Sequence, residues 1–183
     1  MIDPMAKITE GKDLIGKIQN FVSGFLGYYD RDRRREADKI LRDTIAARYE
    51  AEWSRISDIQ ASLASARQLE YLDEIESAAI KLRTFIDRVR GAPRGYSGFF
   101  DAVRIKKDEL QQIYAYDLTL LESSDRLRTA VDQLAGAVGK DGLPEAIRAL
   151  TEMARESTRL YEGRAEVILS KWESKDGQNL RCR

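Results

Sequence analysis

The stretch LQQIYAYDLTLLESSDRLRTAVDQLAGAVGKDGLPEA, from Leu110 to Ala146, indicates how the chain folds. Apolar residues recur in it at alternating steps of three and four, which is the spacing of one buried helix face. Gly139 and Gly142 then terminate a helix, and Pro144 fits the first turn of the next. The stretch therefore predicts two antiparallel helices joined by a tight turn. The seam positions of the first of these helices are Leu110, Ile113, Asp117, Leu120, Ser124, Leu127, Val131, Leu134 and Val138.

The same periodicity continues on both sides of this stretch. It predicts that the helix after the turn runs to about Ser174, and that residues 30–90 are helical, with Ile40 among the core positions. No glycine or proline marks a boundary within residues 30–90. Ser65 followed by Gln68 resembles a capping box, and the apolar phase slips there, so we place a turn at residues 64–66. The alternative is one helix of about 60 residues, about 90 Å long, half of which a second subunit would cover.

The sequence shows no strand pattern. We therefore predict an all-α fold in which residues 30–175 form an antiparallel four-helix bundle with long helices. Residues 1–29 hold an additional amphipathic helix, with Phe21 and Phe25 on its apolar face. Residues 176–183 form a polar C-terminal tail.

Composition limits the classes of function. Basic and acidic residues number 31 each, so no net charge attracts nucleic acid, and we predict no nucleic-acid partner. Acidic residues as far as Asp38 interleave with the arginines of the run RDRRRE (residues 31–36), which we interpret as a solvated helix face rather than a DNA contact. Cys182 is the single cysteine, and no segment has the apolar length of a membrane span, which favours a cytoplasmic protein.

Histidine is absent from the sequence. Because imidazole is the usual general base and the commonest transition-metal ligand, histidine triads, haem on a proximal histidine and Glu-x-x-His di-iron sites are excluded. The remaining enzymatic hypothesis is a carboxylate-only magnesium site, as in all-helical nucleotide pyrophosphatases. Its two groups of acids lie farther apart in sequence than that pattern allows, so we predict no catalytic residue, no metal and no cofactor. The acids considered are Glu70, Asp73, Glu76, Glu122 and Asp125.

Charged residues interrupt the apolar faces of three predicted helices. Arg48 and Glu52 lie one turn apart in the predicted helix that begins near residue 30. Asp117 lies in the seam of the helix before the turn at Gly139, and Arg164 lies in the helix after that turn. Counting residues from the turns puts them at one level, so we predict a buried polar layer in which Asp117 pairs with Arg164 or Arg48. We expect this layer to fix the register of the helices. The alternative is an internal pocket for an anion or a substrate.

The segment GAPRGYSGFF, residues 91–100, interrupts the helical pattern. Gly91 ends a helix and Pro93 prevents its continuation. We expect the aromatic residues at the end of the segment to seal the end of the bundle. The alternative is that Arg94 and Tyr96 form an exposed recognition tip, because arginine and tyrosine are favoured in protein interfaces.

These features predict a non-enzymatic helical-bundle protein that acts through protein–protein contacts, as a scaffold, an adaptor or an assembly subunit, with homo-oligomers as one form of assembly. The second hypothesis is a peripheral membrane protein whose amphipathic helix, with Phe21 and Phe25, lies at the lipid surface. Basic and acidic residues nearly cancel in that helix, so we expect it to pack on its own bundle or on a neighbouring subunit instead.

Overall fold

Helices make up most of the described structure. The computed structural model describes the backbone of residues 13–25, 27, 34–91 and 107–179, and the side chains of these residues except 34, 35, 107–110 and 168–179. Residues 13–19 are helical, and no strand occurs in these ranges. The predicted all-α helical bundle is confirmed. Its long helices are α1 (Arg34–Ser65), α2 (Leu72–Arg90), α3 (Lys107–Ala137) and α4 (Leu143–Asn179).

A turn at residues 66–68 separates α1 from α2, so the chain does not form one continuous helix here. The Gln68 N–H donates to the Leu63 carbonyl at 3.0 Å and the Arg67 N–H to the Ala64 carbonyl at 3.1 Å, which are the two bonds of a Schellman motif. Arg67 occupies its left-handed position, with φ 60°. The predicted turn exists, but it lies two residues later than predicted. Ser65 does not cap α2, because it is the last residue of α1 and its hydroxyl donates back to a carbonyl of that helix.

The turn between α3 and α4 follows the glycine and proline signals of the sequence. Gly139 has φ 75°, in the left-handed region that glycine enters without a steric penalty. Pro144 is the second residue of α4, where its missing N–H costs no helical hydrogen bond. Because the connection is short, α3 and α4 are antiparallel, as predicted.

The chain forms two compact units. The first contains the described parts of Met1–Arg42, Ala92–Thr119 and Leu160–Arg183, and the second contains Asp43–Gly91 and Leu120–Arg159. The domain boundaries predicted after residues 29 and 175 stay predictions. Each unit has buried apolar residues of its own, among them Ile18, Leu41, Ile113 and Tyr114 in the first and Ile56, Leu82, Val131 and Leu150 in the second.

The N-terminal segment, residues 13–25, packs within the first unit. Ile18, Val22 and Phe25 are buried. The ring of Phe25 meets the ring of Tyr114 edge to face, with 6.4 Å between the centroids. The Gln19 side-chain amide donates to the Phe25 carbonyl at 2.7 Å and holds the chain where the helical residues end. Much of the apolar face of this segment is therefore covered by the chain itself.

In the second unit, α1 and α3 are direct neighbours and run in parallel. Arg48 Nη2 lies 2.5 Å from Asp125 Oδ1, and Arg55 bonds to Asp132. From one pair to the next, both helices advance by seven residues in the same direction, which only parallel helices allow. Neighbouring helices of a simple up-and-down bundle are antiparallel, so the order of helices in this unit differs from that arrangement.

Tyr49 of α1 contacts both remaining helices of the second unit. Its ring centroid lies 4.5 Å from that of Phe85 in α2, and its hydroxyl lies 3.0 Å from Ser157 Oγ in α4. Phe85 and Ser157 are therefore at the same level. Since α2 is antiparallel to α1, and α4 is antiparallel to α3, the helices α2 and α4 are parallel to each other here.

Two residues of α1 face the opposite way from the prediction. The sequence pattern placed Ile40 in the core and Asp38 on the solvated face, but Ile40 is 45% exposed and Asp38 is 4% exposed. Asp38 shares a buried stripe with Leu41 and Ile45, which follow it at steps of three and four. A buried carboxylate needs a partner of opposite charge, and Arg164 provides it.

Candidate functional site

Arg164 binds two aspartates inside the first unit. Its Nε lies 2.5 Å from Asp117 Oδ1, and its Nη2 lies 2.7 Å from Asp38 Oδ1. All three side chains are almost completely buried, so water does not compete for these bonds. The expected pairing of Asp117 with Arg164 is present, and Asp38 is a third member of the cluster.

A close approach of α3 to α4 lies directly beside this cluster. A Cβ atom at Gly163 would lie 2.8 Å from the hydroxyl of Tyr116, which is too close for a carbon and an oxygen that are not bonded. Glycine at position 163 lets Tyr116 lie against α4. Tyr116 directly precedes Asp117 in α3, and Gly163 directly precedes Arg164 in α4. The close approach helps to bring the two charged groups within hydrogen-bond distance.

Among the side chains that the structure describes, the charges of the cluster balance. Asp38 Oδ2 also accepts a hydrogen bond from Arg42 Nε at 2.8 Å, so two arginines face two aspartates. Buried ions cost several kcal/mol each unless they are paired and hydrogen-bonded. A carboxylate whose lone pairs are occupied by guanidinium groups is a poor proton acceptor. These four side chains therefore fix α1, α3 and α4 against one another in the first unit.

Arg48, predicted to belong to the same layer, pairs in the second unit. Its side chain is half-buried, its Nη2 contacts Asp125, and its Nε donates to Ser124 Oγ at 2.6 Å. Asp125 follows Asp117 by eight residues in the sequence of α3. Counting residues from turn to turn through α2 placed Arg48 level with Asp117. Because α1 and α3 pair directly, Arg48 instead contacts a later residue of α3.

Glu52 is buried and has arginine partners of its own. Arg55 Nη1 donates to one carboxylate oxygen at 2.7 Å, and Arg128 Nε donates to the other at 3.4 Å. Arg55 comes from the same helix and Arg128 from α3, so the bonds both hold Glu52 and join the two helices. The four residues of the predicted layer thus belong to two sets of ion pairs, one in each unit.

Hydroxyl groups form a second buried polar cluster in the second unit. Ser157 Oγ donates to the Met153 carbonyl at 2.8 Å, so Tyr49 must be the donor in its bond to Ser157. Burial raises the pKa of the Tyr49 phenol, and the hydroxyls of Ser123 and Ser157 oppose this rise. Ser123 Oγ itself is buried without a hydrogen bond of normal geometry to the described residues. Tyr49 is thus a neutral hydrogen-bond donor at physiological pH.

A groove of about 520 Å³ opens between α2 and α4 in the second unit. Arg148 bonds to Glu145 and Arg155 bonds to Glu152, in each case within α4. The walls carry three acidic side chains, three basic ones and two hydroxyls. They are Asp73, Glu74, Ser77 and Lys81 on α2, and Arg148, Thr151, Glu152 and Arg155 on α4.

Two of the acids considered as magnesium ligands have other partners. Asp125 pairs with Arg48, and Glu76 accepts a hydrogen bond from Gln60 Nε2 at 2.7 Å. Within the part of the chain that the structure describes, no group of three or more His, Cys, Asp or Glu side chains is placed to hold a metal ion.

The other predicted binding residues fall into two groups. Arg94 and Tyr96 lie outside the described residues, as do Cys182 and the aromatic residues of the segment 91–100. On the amphipathic face, Phe25 is buried and Phe21 is half-buried. The expected recognition tip therefore stays a prediction.

Asp38 and Arg42 join the buried cluster although the sequence pattern did not assign them to it. A signal for Asp38 exists, because steps of three and four lead from it along α1 through Leu41 and Ile45 to Glu52, the other buried acid of this helix. Arg42 follows Asp38 by one helical turn, a spacing at which opposite charges meet. An acid on the apolar stripe with arginine one turn later predicts a buried, paired carboxylate.

The chain matches no known protein family, no curated protein and no solved structure. Among the described residues, no helix has both the length and the apolar character needed to cross a membrane.

Proposed function

We propose that this protein is a non-enzymatic helical bundle that acts in the cytoplasm through protein–protein contacts, as a scaffold, an adaptor or an assembly subunit. The observation that carries the proposal is the pairing of the buried charges. Asp38, Glu52, Asp117 and Arg164 each bond to a side chain of opposite charge. Such pairs hold helices in one register, and the exposed charges of the outer helix faces provide specificity towards another protein.

The chemistry of the paired groups supports the same proposal. A general base needs a lone pair directed at its substrate, whereas the buried carboxylates here direct theirs at arginines. The sequence has no histidine to take over that role. The proposal therefore includes no metal and no cofactor.

Affinity capture with three forms of the full chain tests this function. The wild type, the groove variant Arg148→Glu/Arg155→Glu and the control variant Arg159→Glu are tagged and expressed in the cells from which the protein comes. Arg159 is an exposed residue of α4 outside the groove lining, so it reports on charge alone. We expect proteins that the wild type and the control retain and that the groove variant loses.

Two results would contradict the proposal. One is the absence of any protein retained specifically by the wild type at physiological salt. The other is magnesium-dependent hydrolysis of a nucleoside triphosphate by the purified chain that the variant Glu122→Gln abolishes, because this would make the protein an enzyme.

The membrane-surface hypothesis receives less support from the contacts. Ile18, Val22 and Phe25 are buried in the first unit, so the N-terminal segment would have to leave its packing to enter a lipid surface. Binding of such a segment scales with the apolar area that it brings to the lipid. We therefore do not adopt this hypothesis as the function.

A further inference from the structure

The seam between α2 and α4 differs from the other seams of the second unit. Among the described residues of this unit, no ion pair or side-chain hydrogen bond joins α2 to α4, although both helices carry acids and bases there. The groove of about 520 Å³ lies at this seam. Ion pairs join α1 to α2, α1 to α3 and α3 to α4, for example Glu50 with Arg90, Arg55 with Asp132, and Arg126 with Glu156. A hydrogen bond between Tyr49 and Ser157 joins α1 to α4.

The charges of the groove are separated along its length. Asp73 and Glu74 lie at one end, in the first turn of α2. Lys81 lies eight residues later, about 12 Å along the helix. The helices α2 and α4 are parallel, and Phe85 of α2 is level with Ser157 of α4. Arg155, two residues before Ser157, therefore lies at the Lys81 end of the groove. The α2 wall of the groove is thus acidic at one end and basic at the other, whereas Arg148, Glu152 and Arg155 of the α4 wall are paired within α4.

The charges of α2 that line the groove have no ion-pair partner among the residues that the structure describes. Asp73 and Glu74 form no ion pair with any residue that the structure describes, and Lys81 bonds to the hydroxyl of Ser77 at 2.7 Å rather than to an acid. Ile80 follows Ser77 by one turn on the outer side of α2 and is 56% exposed. This face of α2 therefore offers opposite charges on either side of a serine, next to an exposed isoleucine.

We infer that a second copy of this chain binds in the groove, with the two α2 helices antiparallel. The inference rests on the proposed function, of which it specifies the assembly. A two-fold axis makes every contact occur twice with exchanged partners. Because Asp73 and Lys81 each lie four residues from Ser77, an antiparallel pair centred on Ser77 brings Asp73 of each copy to Lys81 of the other.

The rest of the groove fits the same arrangement. The acidic start of one α2 reaches the end of the other copy's groove that carries Lys81 and the pair of Arg155 with Glu152. In this arrangement Ile80 lies close to the two-fold axis, and its exposed side chain becomes buried against the other copy. A different protein would need the same order of charges along a helix, whereas a second copy of this chain has that order already.

Charge reversal in the full chain tests the inference by analytical ultracentrifugation. The variants Asp73→Lys and Lys81→Glu each replace two attractive contacts of the dimer by two repulsive ones. We expect either variant to weaken the dimer by roughly ten- to thirtyfold. We expect the double variant Asp73→Lys/Lys81→Glu to restore it, because the reversed charges attract again.

Mixing the two single variants gives a sharper readout. One chain then carries lysine at 73 and 81 and the other carries acids at both. We therefore expect a mixed dimer at a concentration at which each variant alone is mostly monomeric. Asp58→Lys is the matched control, because Asp58 is an exposed acid of the same unit outside the groove. It should leave the dimer unchanged. Circular dichroism of each variant confirms that the chain is folded.

Three outcomes overturn the inference: a wild type that is monomeric up to millimolar concentration, a dimer that both single reversals leave intact, or weakened variants that neither the double variant nor mixing rescues. None of them touches the proposed function, which is decided by the affinity capture. A monomeric chain whose groove captures another protein would identify a heterologous partner in place of a second copy.

Discussion

At Arg164, one guanidinium holds two carboxylates where water has no access. The change Asp117→Asn keeps the shape of the side chain but removes a negative charge, so positive charge in the cluster is left uncompensated. Loss of one partner from a buried pair costs about 3 to 5 kcal/mol. Because Asp38 still neutralises part of the charge, we expect Asp117→Asn to lower the free energy of unfolding by about 3 kcal/mol in urea denaturation.

The pair of Arg126 with Glu156 provides the comparison. It is exposed and joins the same two helices, α3 and α4, in the second unit. Exposed pairs contribute about 1 kcal/mol or less, because solvent screens them. The variant Arg126→Gln should therefore lose much less stability than Asp117→Asn. Equal losses in the two variants would show that burial does not strengthen the cluster around Arg164.

Tyr49 predicts a loss of stability at alkaline pH. Burial raises the pKa of its phenol, so the folded chain holds this proton more tightly than the unfolded chain does. The stabilisation is complete below the ordinary phenol pKa of 10.0 and is lost as the pH rises through the raised pKa of the folded state. Measured by urea unfolding at successive pH values, the advantage of the wild type over Tyr49→Phe should be about 1 kcal/mol near neutrality and should shrink above about pH 10.

The wild type and Tyr49→Phe differ in this cluster only by the hydrogen bond that the Tyr49 hydroxyl donates. Ser157 keeps its hydrogen bond to the Met153 carbonyl when phenylalanine replaces the tyrosine. An advantage that stays constant from neutrality to about pH 11 would mean that the phenol is not buried in the folded chain.

Among the helices, the end of α1 offers a stabilising change. Arg67 has φ 60° in the Schellman motif, a conformation that costs a side chain roughly 1 kcal/mol and costs glycine little. Arg67 is exposed, and it forms no ion pair with the residues that the structure describes. Glycine also adds freedom to the unfolded chain, which offsets part of this gain, so we expect Arg67→Gly to raise the free energy of unfolding by up to about 0.5 kcal/mol, measured by thermal and urea unfolding.

The neighbouring position gives the control for this change. Ala66 lies in the same turn, but its φ is not positive. Glycine there only adds freedom to the unfolded chain, so Ala66→Gly should lower stability by about 0.5 to 1 kcal/mol. If both glycine variants shifted stability in the same direction, the left-handed conformation of Arg67 would not be the cause.

The sequence predicts which segments are helical and which face of each helix is buried. It predicts less well which helices pack against one another. Periodicity in α3 and α4 identifies buried residues such as Leu127 and Leu150, because the burial of a residue follows from the face of its own helix on which it lies. Which helices meet depends on how the chain crosses between them, and a periodic pattern does not contain that information. Arg48 therefore meets Asp125 through a direct parallel contact that counting through α2 did not predict.

For the whole molecule, the same limit applies to the candidate sites. The pairing of Asp117 with Arg164 follows from their equal distance to the turn at residues 138–142, which connects antiparallel neighbours. The groove between α2 and α4 does not follow from any stretch of sequence, because its walls come from two helices that are distant in the chain. Its charges look like an ordinary solvated face until the two helices are placed side by side.

The N-terminal segment decides whether the folded chain presents an apolar surface to lipid. Phe25 is buried against Tyr114, whereas Phe21 on the same amphipathic face is only half-buried. Replacing a buried phenylalanine with alanine costs about 3 to 5 kcal/mol. We expect Phe25→Ala to lower the free energy of unfolding by about 3 kcal/mol and Phe21→Ala by about half as much or less.

Liposome co-sedimentation completes this test with the full chain and with a form that lacks residues 1–29. Because the segment packs on the chain itself, we expect the full chain to stay in the supernatant with neutral and with anionic vesicles, and the shortened form to be less stable. A membrane-binding helix would give the opposite pattern: sedimentation of the full chain alone, and equal effects of Phe21→Ala and Phe25→Ala on vesicle binding with little effect on unfolding. The two phenylalanines thus separate packing on protein from packing on lipid, because lipid meets the whole apolar face while the protein covers Phe25 more completely than Phe21.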